Sequence, residues 1–336
     1  MSRRHIVARL TRLRNAVVLA ALLVAGVAAA ADPLPSWNDG AAKKRIIDFV
    51  SQVTEQNGRH FVPVEERIAT FDNDGTLWSE QPMPFQVVFM LEQVKKAAPQ
   101  HPEWKNDEAF EALMSRDTQA LARLGEKPLL QLLADANSGM TTDAYDESIR
   151  DWLQTSREPR FKRPYTELVY QPMLEVLAYL RANGFKTFIV SGGSIEFMRP
   201  WAEATYGIPP EQIVGTISEV RFELRNGTPR LVREPKIDFV DNGPGKPVGI
   251  YRSIGRRPIA AFGNSDGDLQ MLQYTAAGEA PRLMLIVHHT DAEREWKYDR
   301  DYRFSPLDAA LAEARSRDWI IVSMKDDWKT IFPFQR

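Results

Sequence analysis

Three short apolar runs in this 336-residue chain each end in a turn too polar to lie inside a core. Arg67–Phe71 runs into Asp72-Asn73-Asp74-Gly75-Thr76, Lys186–Val190 into Ser191-Gly192-Gly193-Ser194, and Pro258–Phe262 into Gly263-Asn264-Ser265-Asp266-Gly267-Asp268. Such runs read as strands buried on both faces. Helical spacing fills the chain between them: Met173–Ala182, closed by Asn183-Gly184, then Phe197–Tyr206 and Lys246–Ile254. Further strands are expected at Leu283–Val287 and Ile320–Ser323. Strands that alternate with helices pair in parallel, and ligands then bind beyond their carboxyl ends. All three polar turns fall there. The predicted fold is α/β, a Rossmann-like parallel sheet core with helices on both faces and an inserted helical cap domain.

The cap is read from a change of character at Pro82. Phe85–Lys96, Asp107–Leu124, Pro128–Asn137 and Asp143–Thr155 all carry helical periodicity, ending in a basic loop from Arg157 to Pro164. The expected core is then 32–81, with a helix over Ala41–Gln56, plus 169–336, and the cap is 82–168. Residues 1–31 read as a signal peptide, with five arginines, an apolar run from Ala16 to Ala31 and small residues before Asp32-Pro33. That implies a periplasmic or secreted chain, free of the membrane after cleavage. Without this leader the chain has 38 basic against 45 acidic residues, a net charge of −7 and a poor match for nucleic acid or anionic lipid. There is no cysteine, which excludes disulfides, thiolate zinc sites, iron–sulfur clusters and a cysteine nucleophile. Five scattered histidines do not make a histidine-rich metal site.

Asp72 and Asp74, with Gly75 beside them, read either as an Asx-rich turn or as a nucleophile and a general acid held by Mg²⁺, an ion that prefers hard oxygen ligands. Ser191 and the amides of the two following glycines, at a helix start, offer hydrogen bonds to phosphate oxygens; alone they are equally a plain turn. Asn264, Asp266 and Asp268 are further oxygen ligands, and Lys246 opens the helix before the third strand.

In their order and spacing these segments resemble the haloacid-dehalogenase-like hydrolase superfamily, specifically its phosphatases. The matching features are an Asp-x-Asp-Gly-Thr turn, a strand ending in Ser-Gly-Gly, a helix-starting lysine and a strand ending in a glycine–acidic turn. Met173 to Pro209 is most similar to the phosphoserine-phosphatase branch. The resemblance covers Ile68–Trp78 and Tyr170–Leu272, and the helical stretch only as an inserted cap. It implies a Mg²⁺-dependent hydrolase of a small phosphomonoester. Asp72 would be the nucleophile that becomes an aspartyl-phosphate, and Asp74 would protonate the leaving oxygen and then activate water. Ser191 and Gly192 would bind phosphoryl oxygens, with Lys246 offsetting charge there. Mg²⁺ would take Asp72, the Asp74 carbonyl and a side chain of the last turn, Asn264, Asp266 or Asp268.

Two positions depart from the family pattern. Asn264 stands where an aspartate is usual, and Gln81, with Glu80 beside it, stands where phosphoserine phosphatases carry a glutamate for the substrate's amino group. A broader phosphomonoesterase is therefore expected ahead of a phosphoserine phosphatase proper. Gly263–Gly267 also spells the G-x-S-x-G of a serine-hydrolase elbow on Ser265, but only His288 and His289 follow it, and that reading leaves Asp72, Asp74 and Lys246 without a role. A phosphate-ester binding protein without turnover is motivated by Asn264 and opposed by the presence of Asp72, Asp74, Ser191 and Lys246. Arg157, Arg160, Lys162 and Arg163 read as a solvated loop.

Overall fold

The computed structural model describes residues 32–279 and 281–335; the expected signal peptide, residues 1–31, lies outside them. Strands β1 (Ile68–Phe71), β2 (Lys186–Ser194), β3 (Ile213–Arg225), β4 (Thr228–Phe239), β5 (Ala260–Gly263), β6 (Leu283–His288) and β7 (Ile320–Ser323) form one sheet in the order β4-β3-β2-β1-β5-β6-β7. All neighbours pair in parallel except β3 and β4. The fold is the expected α/β type. From β1 the chain builds outward through β2 to β4, then returns to the other side of β1 with β5. That reversal opens a crevice at the carboxyl ends of β1 and β5. Phe71 is in register with both Ile189 and Phe262, and its ring stacks on that of Phe262 at 4.2 Å. The Asp72 N–H donates to the Phe262 carbonyl at 2.9 Å, so the turns after β1 and β5 start side by side.

Helix α1 (Ala41–Thr54) precedes β1. Helices α2 (Phe85–Ala97), α3 (Glu108–Ser115), α4 (Thr118–Leu124), α5 (Glu126–Ala136), α6 (Thr142–Thr155) and α7 (Gln171–Ala182) lie between β1 and β2. Then come α8 (Ile195–Tyr206) after β2, α9 (Gly245–Ser253) before β5, α10 (Leu269–Ala276) after it, α11 (Ala309–Ser316) before β7 and α12 (Met324–Asp327) after it. Because strand side chains alternate, Phe71, Ile189, Phe262 and Leu285 pack with α1, α7 and α8. Val190, Ala261 and Ile286 pack on the other face with Ile250, Met271 and Leu311 of α9, α10 and α11. A third apolar cluster, from Met90 to Leu133, comes from α2–α5 and from Trp104 between α2 and α3. Helix α6 instead sends Tyr145, Ile149 and Trp152 into the cluster of the first sheet face, so the helical stretch 82–168 has a core of its own only in its first part. Among the described residues no helix is long and apolar enough to cross a membrane.

Three local features differ from the sequence reading. The single helix expected over Asp107–Leu124 is two, because Arg116 takes a left-handed conformation (φ 56°) and the Asp117 carboxylate accepts the Gln119 and Ala120 N–H groups, capping α4. The antiparallel hairpin β3–β4 adds two long strands that the strand–helix alternation does not announce. Its signal is local: Asn226-Gly227, both at positive φ, joins two runs of alternating residues in a two-residue turn. The basic loop is not simply solvated, since Arg160 donates to the carbonyls of Ala292, Glu293 and Glu295 and lies over the rings of Phe161 and Trp296.

Asp241, just after β4, is buried with neither carboxylate oxygen hydrogen-bonded, pressed against Gly249 of α9, where a Cβ would sit 2.2 Å from its Oδ1. Burial pushes its carboxyl up to about 7 from 3.8, with Lys246 opposing. The folded state thus binds this proton more tightly than the unfolded chain. Its stabilisation is complete below the unfolded pKa and is lost as pH rises through about 7. Asp241→Asn should therefore gain stability over the wild type between about pH 5 and about pH 8, by at most ~1.4 kcal/mol per pH unit. Urea unfolding at both pH values checks this; a difference independent of pH would rule it out.

Candidate active site

Lys246, in the first turn of α9, joins three of the expected motifs. Its Nζ donates to Asp72 Oδ1 at 2.6 Å, to Asp268 Oδ1 at 2.6 Å and to the Val190 carbonyl at the end of β2 at 2.9 Å. The side chain is buried. Burial alone pulls its pKa down, but Asp268 and Asp72 together hold it above the ordinary lysine value. For Asp72 the balance runs the other way: burial and the neighbouring Asp268 outweigh Lys246 and keep the carboxyl well above the usual range. Asp74 accepts a hydrogen bond from Trp78 Nε1 at 2.6 Å through Oδ1. Burial pushes its carboxyl up to about 6 against the opposing pull of Trp78 and Lys246.

Ser191 is buried, and its Oγ accepts the Gly193 N–H at 3.1 Å. Ser194 caps α8 by accepting the Phe197 N–H, while its own N–H donates to Gln86 Oε1 at 2.9 Å. The amides of Gly193 and Ser194 are thus already engaged. A Cβ on Gly193 would lie 2.9 Å from Gln86 Oε1, 3.4 Å from Ser191 Oγ and 3.9 Å from Asp74 Oδ2, so these groups converge on one point. Gln86 is a residue that motif reading misses, because it comes from α2. Its Nε2 is buried without a partner among the described residues, and the side chain lines the cavity described below.

The turn after β5 separates its three candidates. Asp266 Oδ1 accepts the N–H groups of Asp308 and Ala310 at the start of α11. Asp268, expected as a metal ligand, has Oδ1 on Lys246 and Oδ2 on the N–H groups of Asn264 and Ser265 and on Ser265 Oγ. Both aspartates therefore hold the turn. Ser265 completes a capping box with Asp268, while His289 bonds to the Gly75 carbonyl and to Glu295 and His288 pairs with Asp299. The serine-hydrolase reading finds no support in that arrangement. Asn264 remains, with Oδ1 accepting from Thr76 Oγ1 at 2.9 Å and Nδ2 donating to Glu80 Oε1 at 2.9 Å. Gly75 has φ +74°, and a Cβ on it would lie 2.0 Å from Asn264 Nδ2 and 2.5 Å from Glu80 Oε1, so only glycine lets the two turns meet.

In the sequence Glu80 stands out only as the neighbour of Gln81. It is buried, and its carboxylate also accepts from Tyr298 OH at 2.9 Å and Ser305 Oγ at 2.6 Å. Burial, with repulsion from Asp74 and Asp72, keeps its carboxyl well above the usual range despite these hydroxyl donors. Gln81 faces a different pocket.

These groups meet at a cavity of about 330 Å³. It is lined by Asp72, Asp74, Glu80, Ser191, Gly192 and Lys246, by apolar Val87, Met90, Leu121 and Leu129 from the helical stretch, and by Arg303 to Pro306. The carboxyl groups of Asp72, Asp74 and Glu80 line this cavity with the Lys246 ammonium, and hard oxygen donors of this kind fit a divalent cation. Among the described residues no three acidic or histidine side chains could hold a metal by themselves. A metal here would need an amide or carbonyl oxygen as well.

A family model described as haloacid dehalogenase-like hydrolase matches residues 69–273. No curated protein matches the sequence. Among solved structures, a conserved functionally unknown protein from Anaerococcus prevotii DSM 20548 is 15% identical, with 87% of this chain and 94% of that one covered and a TM-score of 0.56. A protein of unknown function from Bordetella pertussis Tohama I is 15% identical over 77% of this chain and 99% of the other, with a TM-score of 0.48. A phosphoserine phosphohydrolase-like protein from Francisella tularensis subsp. tularensis SCHU S4 is 19% identical over 66% and 87%, with a TM-score of 0.36.

Proposed function

The chain belongs to the haloacid dehalogenase-like hydrolases, and from that premise we propose that it hydrolyses small phosphomonoesters through an aspartyl-phosphate on Asp72. The observation that carries this reading is the Lys246 ammonium, 2.6 Å from both Asp72 and Asp268, lining a cavity that Asp74 also lines. Lys246 fixes the Asp72 carboxylate and offsets the charge that a phosphate dianion brings toward it. The Asp72 carboxylate attacks phosphorus as the ester P–O bond breaks, and the departing alkoxide takes the proton of Asp74. In the second step Asp74 removes a proton from water as that water attacks the aspartyl-phosphate, releasing inorganic phosphate and restoring Asp72. A carboxyl held at about 6 carries a proton at neutral pH far more often than an exposed one, which suits this task. Gln86 Nε2 and Ser191 are the donors offered to phosphoryl oxygens. Mg²⁺, held by Asp72, the Asp74 carbonyl and Asn264, would screen the repulsion between the dianion and these carboxylates.

The apolar lining favours an alcohol with a hydrocarbon or aromatic part. Gln81 lies away from the cavity and the Glu80 carboxylate is engaged, so neither position offers a free acid to an ammonium group, which disfavours serine phosphate. Export to the periplasm belongs to the same proposal and rests on the composition of residues 1–31. The test is turnover of p-nitrophenyl phosphate with Mg²⁺, lost in EDTA and regained on adding the metal. Asp74→Asn should cut alkyl phosphate turnover by about 10²–10⁴-fold and aryl phosphate turnover much less, because a phenolate leaves with little help. Equal losses on the two substrates would deny Asp74 the part of leaving-group acid.

A further inference from the structure

We propose that Glu80 and Asn264 together do the work of the missing aspartate: Glu80 is the anion that makes the Asn264 amide oxygen an adequate ligand for a divalent cation. This rests on the metal-assisted reading above. Four observations on this chain carry it. Position 264 has no charge of its own, and the two aspartates of its turn, Asp266 and Asp268, are engaged in holding α11, Lys246 and the turn backbone. The hydrogen bonds orient the Asn264 amide: an ionised Glu80 only accepts, so the side facing it is Nδ2, which turns Oδ1 toward Thr76 and the turn that carries Asp72 and Asp74. Oδ1 accepts one hydrogen bond, from Thr76, and keeps a second lone pair. Finally, Glu80 lines the same cavity as Asp72 and Asp74, and the segment after β6 fixes it there through Tyr298, Ser305 and a bond from Tyr302 OH to its carbonyl.

The chemistry follows from amide resonance. An N–H that donates to a carboxylate draws electron density from the amide nitrogen onto its oxygen. A cation on Oδ1 would then meet more negative charge than an isolated asparagine provides, and the Glu80 charge lies one hydrogen bond behind it. Carboxylates placed behind a metal ligand in this way typically change metal affinity 10–100-fold. The acid is displaced by one residue's reach rather than lost.

The experiment is a charge exchange read by Mg²⁺ binding, with isothermal titration and the Mg²⁺-induced rise in unfolding temperature as readouts that need no turnover. Glu80→Gln should weaken Mg²⁺ binding by about 10-fold or more. Asn264→Asp alone brings two buried carboxylates to hydrogen-bond distance and should lower the unfolding temperature of the metal-free protein. Glu80→Gln with Asn264→Asp returns one carboxylate and one amide to the pair, and should restore both stability and Mg²⁺ affinity to within a few-fold of wild type. If wild type binds Mg²⁺ and Glu80→Gln binds it equally well, or if the exchanged protein binds no better than Glu80→Gln, the role given to Glu80 is wrong. If wild type itself binds no Mg²⁺ while turning over phosphate esters in EDTA, the metal-assisted reading fails along with it.

Discussion

Asp72→Asn is expected to reduce phosphomonoester turnover by at least about 10⁴-fold while leaving the protein folded. An amide at this place cannot form the acyl phosphate. It can still accept from Lys246 Nζ, which now bonds Asp72 Oδ1 at 2.6 Å, so the link between the turns after β1 and β5 survives. Losing this carboxylate also removes the burial cost and the repulsion from Asp268 that keep the Asp72 carboxyl high. Stability should therefore stay level or rise while activity disappears. Steady-state rates and urea unfolding on the same preparation separate the two. A folded variant with turnover near wild type would remove the covalent step.

Lys246→Met should have the opposite signature, losing both turnover and stability. It leaves Asp72 and Asp268 buried with no cation between them, a situation that costs about 3–5 kcal/mol when one partner of a buried pair is removed. The loss must depend on pH in a definite direction. Burial already holds the Asp72 carboxyl well above its usual range, and without the ammonium it binds its proton still more tightly in the folded state. Its destabilisation is then absent below the unfolded carboxylate range and grows as pH rises through and above it. Urea unfolding of the variant near pH 5 and near pH 8 checks this. A variant as stable as wild type at the higher pH would mean that Lys246 is not the counter-charge of this site.

The parts of the site that sequence exposes are those built from contiguous residues. Asp72, Asp74 and Gly75 announce themselves because a carboxylate pair with a glycine at positive φ can follow an apolar strand only at the sheet's rim. The turns after β2 and β5 are legible for the same reason, and Lys246 by its place at a helix start. Glu80 and Gln86 carry no such mark. Glu80 matters because Ser305, 225 residues later, and Tyr298 reach it from a segment without any motif, and because Asn264 meets it across two turns. Gln86 matters because α2 folds its side chain onto the Ser194 N–H. The division of labour among Asn264, Asp266 and Asp268 was equally hidden: all three are oxygen ligands on paper, and only α11 and Lys246 decide which two are engaged. The hairpin β3–β4 is a different case, since Asn226-Gly227 marked it locally while the strand–helix alternation drew attention elsewhere.

The central claim is that Asp72 itself carries the phosphoryl group, and it is tested most directly by mass spectrometry of acid-quenched protein caught during turnover of a phosphate ester with Mg²⁺. The account predicts a peptide containing Asp72 heavier by one phosphoryl group, labile to hydroxylamine as an acyl phosphate must be, and missing in Asp72→Asn. Turnover with no such species, under conditions where its breakdown has been slowed by Asp74→Asn, or a phosphoryl group found on Ser191 or Ser265 instead, would contradict it.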